Sequence, residues 1–168
     1  MFMKRVPICF VFILCSLSAF CQNYQTHSLF IYSFTRFVQW PDEDKAGDFE
    51  ILVLGETPML ADLKTMAERK KVGDRTIKIT KINGVTEIRK CHMLVLPTDK
   101  SALFNEVLAK TDGMSTLVIT EVPGLGAKGS CINFIVKENK LAFELNQAAI
   151  TKHKLKASAE LARLAIII

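Results

Sequence analysis

Cysteine is nearly absent from the chain once its first 21 residues are set aside. Of five cysteines in 168 residues, three lie in that first stretch, and only Cys91 and Cys131 follow it. Two cysteines cannot build the disulfide framework of a small secreted domain. One disulfide between Cys91 and Cys131 stays open, because the sequence does not show whether their Cα atoms come within about 7 Å of each other.

Residue types that carry catalysis or bind metals are scarce as well. Neither His27 nor His153 has a carboxylate at metal-ligand spacing. Cys91 and His92 are neighbours in a strand-like segment, where successive side chains point to opposite faces, so the imidazole cannot activate the thiol beside it. No serine lies in a G-x-S-x-G turn. We therefore expect no enzyme, with no catalytic residue, no cofactor and no metal site.

A glycine-rich segment, "GLGAKG" at residues 124–129, matches the letters of the G-x-G-x-x-G dinucleotide pattern. That chemistry requires a helix to begin at the loop, so that the helix N-terminus faces the pyrophosphate. The letters that follow, "SCINFIV", predict a strand instead. We interpret the segment as a loop before a hairpin and not as a nucleotide site.

Strong charge of one sign is also lacking. The formal net charge is +5, and it falls to +3 without residues 1–21, which contain two basic residues and no acid. The densest basic run, "ERKKVGDR", has no aromatic residues interleaved with it. We expect no nucleic-acid partner and interpret the run as a solvated helix end.

One long hydrophobic run is present, at the start of the chain. Lys4 and Arg5 precede an apolar run over residues 6–20, an order typical of a secretory signal peptide. We expect residues 1–21 to be cleaved after Cys21, and residues 22–168 to form a single exported domain.

Two alternatives to a cleaved leader can be weighed from the same residues. A membrane anchor would need roughly 20 apolar residues, and this run has about 15 and is interrupted by Pro7. A lipoprotein would need a small residue directly before its cysteine, whereas Phe20 precedes Cys21. Both observations favour cleavage.

The rest of the chain alternates between strand-like and helix-like segments. "FEILVLG", "CHMLVLP" and "STLVITEVP" are short apolar runs typical of strands buried on both faces of a parallel sheet. "TPMLADLKTMAERK" and "SALFNEVLAKTDG" have helical spacing and lie between them, and "RTIKITKI" alternates like a strand near the sheet edge.

The last third of the chain predicts a different arrangement. "CINFIVKENKLAFELN" indicates an antiparallel hairpin at the sheet edge, and the remaining residues indicate a helix with Leu155, Leu161 and Leu164 facing the core. The predicted fold class is therefore α/β: a three-layer sandwich with a mostly parallel central sheet and a C-terminal antiparallel hairpin plus terminal helix.

The segment "LFIYSFTRFVQWP" at residues 29–41 predicts the first helix, over residues 25–39, with Phe30, Phe34 and Phe37 buried against the sheet. Pro41 disfavours helical geometry at the residue before it.

Three side chains of the same segment form the candidate binding site. Arg36 lies four residues from both Tyr32 and Trp40, so a cation–π contact is available to it. Tyr, Trp and Arg are the residue types enriched at binding hot spots. We assign Tyr32, Arg36 and Trp40 to a partner or ligand; the alternative is that Arg36 merely extends from a packed helix.

Five motifs in order, "IYSFTRFVQWP", "FEILVLG", "CHMLVLP", "GSCINFIVKENKLAFELNQAA" and "LKASAELARLA", resemble those of the YfiR/HmsC-like family of exported bacterial proteins. The resemblance implies a periplasmic α/β domain, whose best-understood relatives form homodimers, hold a membrane diguanylate cyclase inactive and respond to redox state through disulfides. Cys91 matches the family's Cys-His strand motif, whereas Cys131 stands where relatives often have other residues.

Two functions follow as expectations. The first is a periplasmic regulatory protein that docks on and inhibits a membrane-bound signalling protein, either a diguanylate cyclase that makes cyclic di-GMP or a sensor kinase. The second is a small-molecule binding module, with an apolar pocket formed by the rings of the first helix and the loops at the carboxyl ends of the buried strands.

Overall fold

The structure is a computed structural model that describes residues 24–168, so the predicted signal peptide at residues 1–21 lies outside the described residues. The helices are α1 Tyr24–Phe37, α2 Met59–Arg69, α3 Phe104–Thr111, α4 Gln147–Lys152 and α5 Ala159–Leu164. The strands are β1 Val38–Gln39, β2 Phe49–Leu54, β3 Lys71–Val72, β4 Arg75–Ile82, β5 Met93–Leu96, β6 Leu117–Thr120, β7 Ile132–Lys137, β8 Lys140–Leu145, β9 Lys156–Ala157 and β10 Ile166–Ile167. In this part of the chain, no helix has the length and apolar character needed to cross a bilayer.

A mostly parallel sheet forms the centre of the fold, in the order β10-β8-β7-β6-β5-β2-β4-β3. The pairs β4–β2, β2–β5, β5–β6, β6–β7 and β8–β10 are parallel, and only β7–β8 and β3–β4 are antiparallel. All residues of β5 and β6 are buried, as expected for apolar strands covered on both faces. Helices flank this sheet, so the predicted α/β fold class is confirmed.

The direction of the strand connections places helices on both faces of the sheet. The chain runs from β2 through α2 to β4 in one direction across the sheet, and from β5 through α3 to β6 in the other. Because such crossovers are right-handed, α2 and α3 lie on opposite faces. Helix α1 packs against α2 and therefore covers the same face as α2.

The first helix is held by aromatic packing, as its spacing predicts. Phe34 is fully buried and lies 5.2 Å from Phe143 and 6.0 Å from Phe134, measured between ring centroids. Phe30 and Phe37 are half-buried. The helix ends at Phe37 and not at residue 39 as predicted, because Val38 and Gln39 pair with β9 as the short strand β1.

The C-terminal segment differs most from the prediction. The expected single helix is divided into α4 and α5 by β9, and Lys154 between them has a left-handed φ of 57°. Leu155 and Leu161 are buried as predicted, but Leu164 is 62% exposed. The chain then continues as β10, which pairs with β8, so β10 and not the hairpin forms this edge of the sheet.

Candidate functional site

A cleft of about 900 Å³ opens where α1 and β1 lead into the central sheet; we call it the Trp40 cleft. Trp40 and Phe49 line it together with Arg75, the β3–β4 turn and the segment around Lys156. Phe49 and Arg75 are the first residues of β2 and β4, which run parallel, so the cleft lies at the amino ends of these strands. The pocket was expected at the carboxyl ends, and this cleft is at the opposite end because the Trp40-Pro41 segment leads into the start of β2.

Trp40 is fixed in the wall of the cleft by contacts on two sides. Its side chain is largely buried, and its indole Nε1–H donates to the backbone carbonyl of His92 at 3.2 Å. Its ring meets Phe49 edge to face, with 5.0 Å between centroids and an interplanar angle of 88°. A buried indole needs a partner for its N–H, so this hydrogen bond allows Trp40 to remain inside.

His92 lies behind Phe49, and both of its ring nitrogens are engaged. Nδ1 accepts from the backbone N–H of Glu50 at 3.0 Å, so the proton of the neutral ring is on Nε2, which donates to the carbonyl of Asp44 at 2.7 Å. The ring stacks on Phe49 at 4.4 Å. Burial lowers the pKa of His92, and the nearby charge of Arg75 lowers it further. His92 is therefore a neutral structural side chain that supports the aromatic floor of the cleft.

Arg75 connects the cleft to the loop before β2. Its Nε donates to the carbonyl of Gly47 at 2.7 Å, and its Nη2 donates to that of Asp48 at 3.0 Å. The guanidinium carbon lies 5.4 Å from the centroid of Phe49, within cation–π range. Nη2 also lies 2.7 Å from Nε2 of His92, but a protonated Nε2 cannot accept, so this close contact opposes a positive charge on His92.

The segment before β2 is held from its other side by a buried carboxylate. Asp44 is 6% exposed and forms an ion pair with Lys90. Burial by itself would raise the pKa of Asp44, but hydrogen bonds from Lys90 and Ser115 bring it below its usual value. The charged carboxylate thus anchors the segment that forms one side of the cleft.

The rim of the cleft carries an excess of positive charge. Lys45, Arg75, Lys154 and Lys156 line it, against the acids Asp42 and Asp74. Lys45 is paired with Asp42 at 2.5 Å, and Lys154 donates to the carbonyl of Gly113 at 3.3 Å. Lys156 is exposed on β9, opposite the exposed Gln39 of β1. An apolar floor with a basic rim suits a ligand or a peptide that combines a flat apolar group with an anionic one.

The three residues assigned to recognition from the sequence have different partners in the structure, and of the three only Trp40 lines the cleft. The hydroxyl of Tyr32 donates to the carbonyl of Lys71 at 3.4 Å, and the Nζ of Lys70 lies 5.6 Å from the Tyr32 ring. Arg36 is exposed, and its guanidinium lies 5.8 Å from the ring of Phe37. The predicted cation–π contact of Arg36 with Tyr32 or Trp40 is therefore wrong, because the helix ends at Phe37 and β1 turns Trp40 towards the sheet.

Phe49 and Arg75 line the cleft and His92 supports it from behind, and the sequence analysis assigned none of the three to a site. Only the pairing of β2 with both β4 and β5 brings them to one place. The one feature of the sequence that could have indicated this site was the aromatic residue Phe49 at the start of a buried strand.

The two cysteines are free and buried, so the disulfide left open by the sequence is not formed. Strand β6 lies between β5, which follows Cys91, and β7, which follows Cys131. Two strand spacings separate their Cα atoms by roughly 10 Å, beyond the reach of a disulfide. Burial raises the pKa of each thiol to about 12, so both are weak nucleophiles.

The glycine-rich loop is required for packing. Strand β7 follows it, and no helix begins there. A Cβ at Gly126 would lie 2.5 Å from Oε2 of Glu144 and 2.8 Å from Cδ1 of Ile168. The loop is closed by Asn146, which donates to the carbonyl of Gly126 at 2.8 Å and caps α4 by accepting from the N–H of Ala149 at 2.9 Å. These contacts explain why glycine stands at position 126.

Within residues 24–168, no cluster of histidine, cysteine or carboxylate side chains could hold a metal ion.

Comparison with known proteins identifies a family and solved structures of similar fold. The sequence profile of the family described as YfiR/HmsC-like matches residues 24–166. The crystal structure of a conserved domain protein from Vibrio cholerae superposes with a TM-score of 0.60 at 10% identity, covering 86% of this chain and 60% of that one. The chain thus spans less than two thirds of that protein, and the likeness concerns the fold alone. Among curated proteins there is no match.

Proposed function

The chain belongs to the YfiR/HmsC-like family, and on this premise we propose that it docks on a membrane-bound signalling protein of the envelope and inhibits it. Membership in this family suggests a periplasmic regulatory role, and the leader predicted at residues 1–21 is in keeping with export. The partner we propose is a diguanylate cyclase or a sensor kinase. The protein inhibits by binding the inactive conformation of this partner more tightly than the active one, which shifts the population towards the inactive state.

The observation that carries the proposal is the family match over residues 24–166, and the Trp40 cleft is the surface we assign to docking. The cleft contains the tryptophan of "IYSFTRFVQWP", one of the five motifs that carry the family resemblance, and it presents an open, aromatic surface. Tryptophan is enriched at interface hot spots, and a basic rim steers an acidic partner.

Photo-crosslinking tests the docking surface directly. Gln39 is exposed and lines the cleft, so a benzoylphenylalanine placed there should crosslink an integral-membrane signalling protein in intact cells. The same group at Lys137, exposed on β7 and outside the lining of the cleft, is the matched control. Equal products at both positions, or none at Gln39, would remove the Trp40 cleft from the interface.

Charge reversal at the rim provides the functional measurement. Lys156→Glu reduces the positive charge of the rim and should not disturb the core, because Lys156 is exposed. We expect weaker inhibition, seen as a rise in cellular cyclic di-GMP or in kinase output. Lys140→Glu on β8, also exposed, makes the same charge change elsewhere and should leave inhibition unchanged. If both variants behave alike, the effect is one of net charge and not of docking.

A small-molecule ligand in the Trp40 cleft is the second candidate function. A volume of about 900 Å³ lies in the usual range for small-molecule sites. Trp40 is the one tryptophan in the chain, so quenching of its fluorescence reports on ligands that enter the cleft. A thermal-shift screen against envelope metabolites, followed by this fluorescence titration, separates the two functions: a ligand that stabilises the isolated protein and quenches Trp40 supports the pocket.

We also propose that the protein works as a homodimer, as the family resemblance implies. Sedimentation equilibrium of residues 22–168 measures the mass directly. A monomer at concentrations of tens of micromolar would contradict the dimer without affecting the docking proposal, because docking depends on the cleft of one chain.

A further inference from the structure

A second, smaller cavity of about 380 Å³ opens at the carboxyl end of β6; we call it the Glu121 cavity. Its walls are apolar and include Phe134, Val136 and Leu141 from β7 and β8. At its base lie two polar side chains, Glu121 directly after β6 and His27 from α1. It shares no lining residue with the Trp40 cleft.

The carboxylate at the base is buried and incompletely hydrogen-bonded. The side chain of Glu121 is only 7% exposed. It accepts a hydrogen bond from the backbone N–H of Thr98, but its Oε1 has no hydrogen-bond partner among the described residues. The nearest basic atom is Nε2 of His27, at 3.6 Å from Oε1, which is longer than a hydrogen bond. Burying a carboxylate oxygen without a hydrogen-bond donor destabilises the folded state. Oε1 of Glu121 is therefore available to accept a hydrogen bond from a ligand.

The groups that face Glu121 give its surroundings an excess of negative charge. Asp99, in the 3-10 turn before α3, raises the pKa of Glu121, although burial is the larger cause and brings it to about 7. Tyr24 on α1 also faces this site, and burial together with the charges of Glu121 and Asp99 raises its pKa. His27 is the basic group on the same side. The balance favours a cation over an anion.

We propose that the Glu121 cavity binds a small organic ammonium compound, with its N–H groups on Oε1 of Glu121 and its apolar substituent against Phe134, Val136 and Leu141. An ammonium group supplies the missing donor and compensates the buried negative charge. The apolar walls receive the hydrocarbon part, and the volume lies within the range of small-ligand sites. The proposal is independent of docking at the Trp40 cleft.

The test uses cyclohexylmethylamine and its neutral counterpart cyclohexylmethanol, which have nearly the same shape. Methyl NMR titration of residues 22–168 at pH 8 should shift the signals of Val136 and Leu141 with the amine. The affinity for the alcohol should be at least tenfold lower, because it carries no charge. Equal affinity for both compounds, or no shift of these methyl groups at millimolar amine, would overturn the proposal.

Two variants locate the binding. Glu121→Gln keeps the side-chain shape and removes the charge, so amine affinity should fall at least tenfold, while Glu56→Gln, at an exposed glutamate that pairs with Lys81, should bind as the parent does. Val136→Trp enlarges an exposed side chain in the wall of the cavity, so it should fill the cavity mouth without destabilising the core. We expect it to reduce amine affinity tenfold as well. Unchanged affinity in either Glu121→Gln or Val136→Trp would contradict the site.

The pH dependence gives a readout that packing alone would not produce. The amine needs the ionised carboxylate, and the pKa of Glu121 is about 7, so affinity should be about tenfold lower at pH 6 than at pH 8. An affinity that is flat over this range, or stronger at pH 6, would overturn the assignment to Glu121.

Discussion

The indole N–H of Trp40 donates to the backbone carbonyl of His92, which lies 52 residues further along the chain, at 3.2 Å. This one hydrogen bond joins the end of the first helix to the segment that enters β5. It also determines which way the tryptophan points: into the wall of the cleft, beside Phe49, and not outwards beside Arg36.

Removing this hydrogen bond should destabilise the fold modestly. Trp40→Phe removes one of the two donors to the carbonyl of His92, which keeps the N–H of Leu117 at 2.9 Å, and the expected loss is about 0.5–1.5 kcal/mol in the free energy of unfolding. Because this variant contains no tryptophan, unfolding in urea should be followed by circular dichroism. A variant as stable as the parent would show that water replaces the indole at this carbonyl.

The first helix should depend on Phe34 more than on any exposed apolar side chain. Phe34→Ala removes a fully buried ring packed on Phe143 and Phe134, and should cost roughly 3–5 kcal/mol. Leu29→Ala on the same helix is the matched control, since Leu29 is 57% exposed, and its effect should stay within about 0.5 kcal/mol. Urea denaturation of both variants measures the difference; similar losses would mean that α1 is not held by its aromatic face.

Acid should weaken the protein partly through His92. Burial lowers its folded-state pKa below the ordinary value near 6.5, so the unfolded chain binds the proton more readily. The stability that depends on neutral His92 is therefore present above about pH 6.5 and is lost as the pH falls below it, at no more than about 1.4 kcal/mol per pH unit.

His92→Gln tests this linkage, because the glutamine amide can still donate to the carbonyl of Asp44 but cannot take up a proton. The variant should be less stable at pH 7.5, and its stability should change less between pH 7.5 and 5.5 than that of the parent. His153, also buried with a lowered pKa, remains in both proteins, so only the difference in slope is assigned to His92. Equal slopes would mean that folding does not lower the pKa of His92.

Glu121 should show the opposite pH dependence. Its pKa is raised to about 7 in the folded protein, chiefly by burial, from about 4.3 in an unfolded chain. The folded state therefore binds the proton more readily, and the stability that depends on protonated Glu121 is lost as the pH rises from about 4.3 to 7. Glu121→Gln should be more stable than the parent at pH 8, by no more than about 4 kcal/mol, and should lose most of this advantage at pH 5. An advantage that does not change with pH would exclude the buried charge as its cause.

The cysteines should resist both alkylation and oxidation in the native protein. The thiols of Cys91 and Cys131 are buried and have a pKa of about 12. Iodoacetamide at pH 8 should therefore modify neither of them in folded residues 22–168 and both after denaturation, as measured by intact mass. A mass lower by two hydrogen atoms without reductant would reveal a disulfide between them and would require β6 to move.

Much of the fold could be read from local patterns. The three apolar runs form β2, β5 and β6, and the helical spacing of "TPMLADLKTMAERK" forms α2, which begins at Met59. The prediction of a single helix in the last segment was wrong because β9 interrupts the helical spacing. Residues 156 and 157 pair with β1, which lies more than a hundred residues earlier in the chain, and no local pattern contains that partner.

The sequence by itself determined the class of fold, the buried strands and the packed face of the first helix, because the spacing of residues along a strand or helix decides which side chains share a face. Only the tertiary structure decided which residues form the candidate site. Trp40, Phe49, Arg75 and His92 come together because β2 pairs on both sides with other strands of the sheet. The position of β6 between β5 and β7 keeps Cys91 and Cys131 apart. Contacts of this kind depend on the order of strands in the sheet, which depends on the burial of the whole core and not on the residues next to each other in the chain.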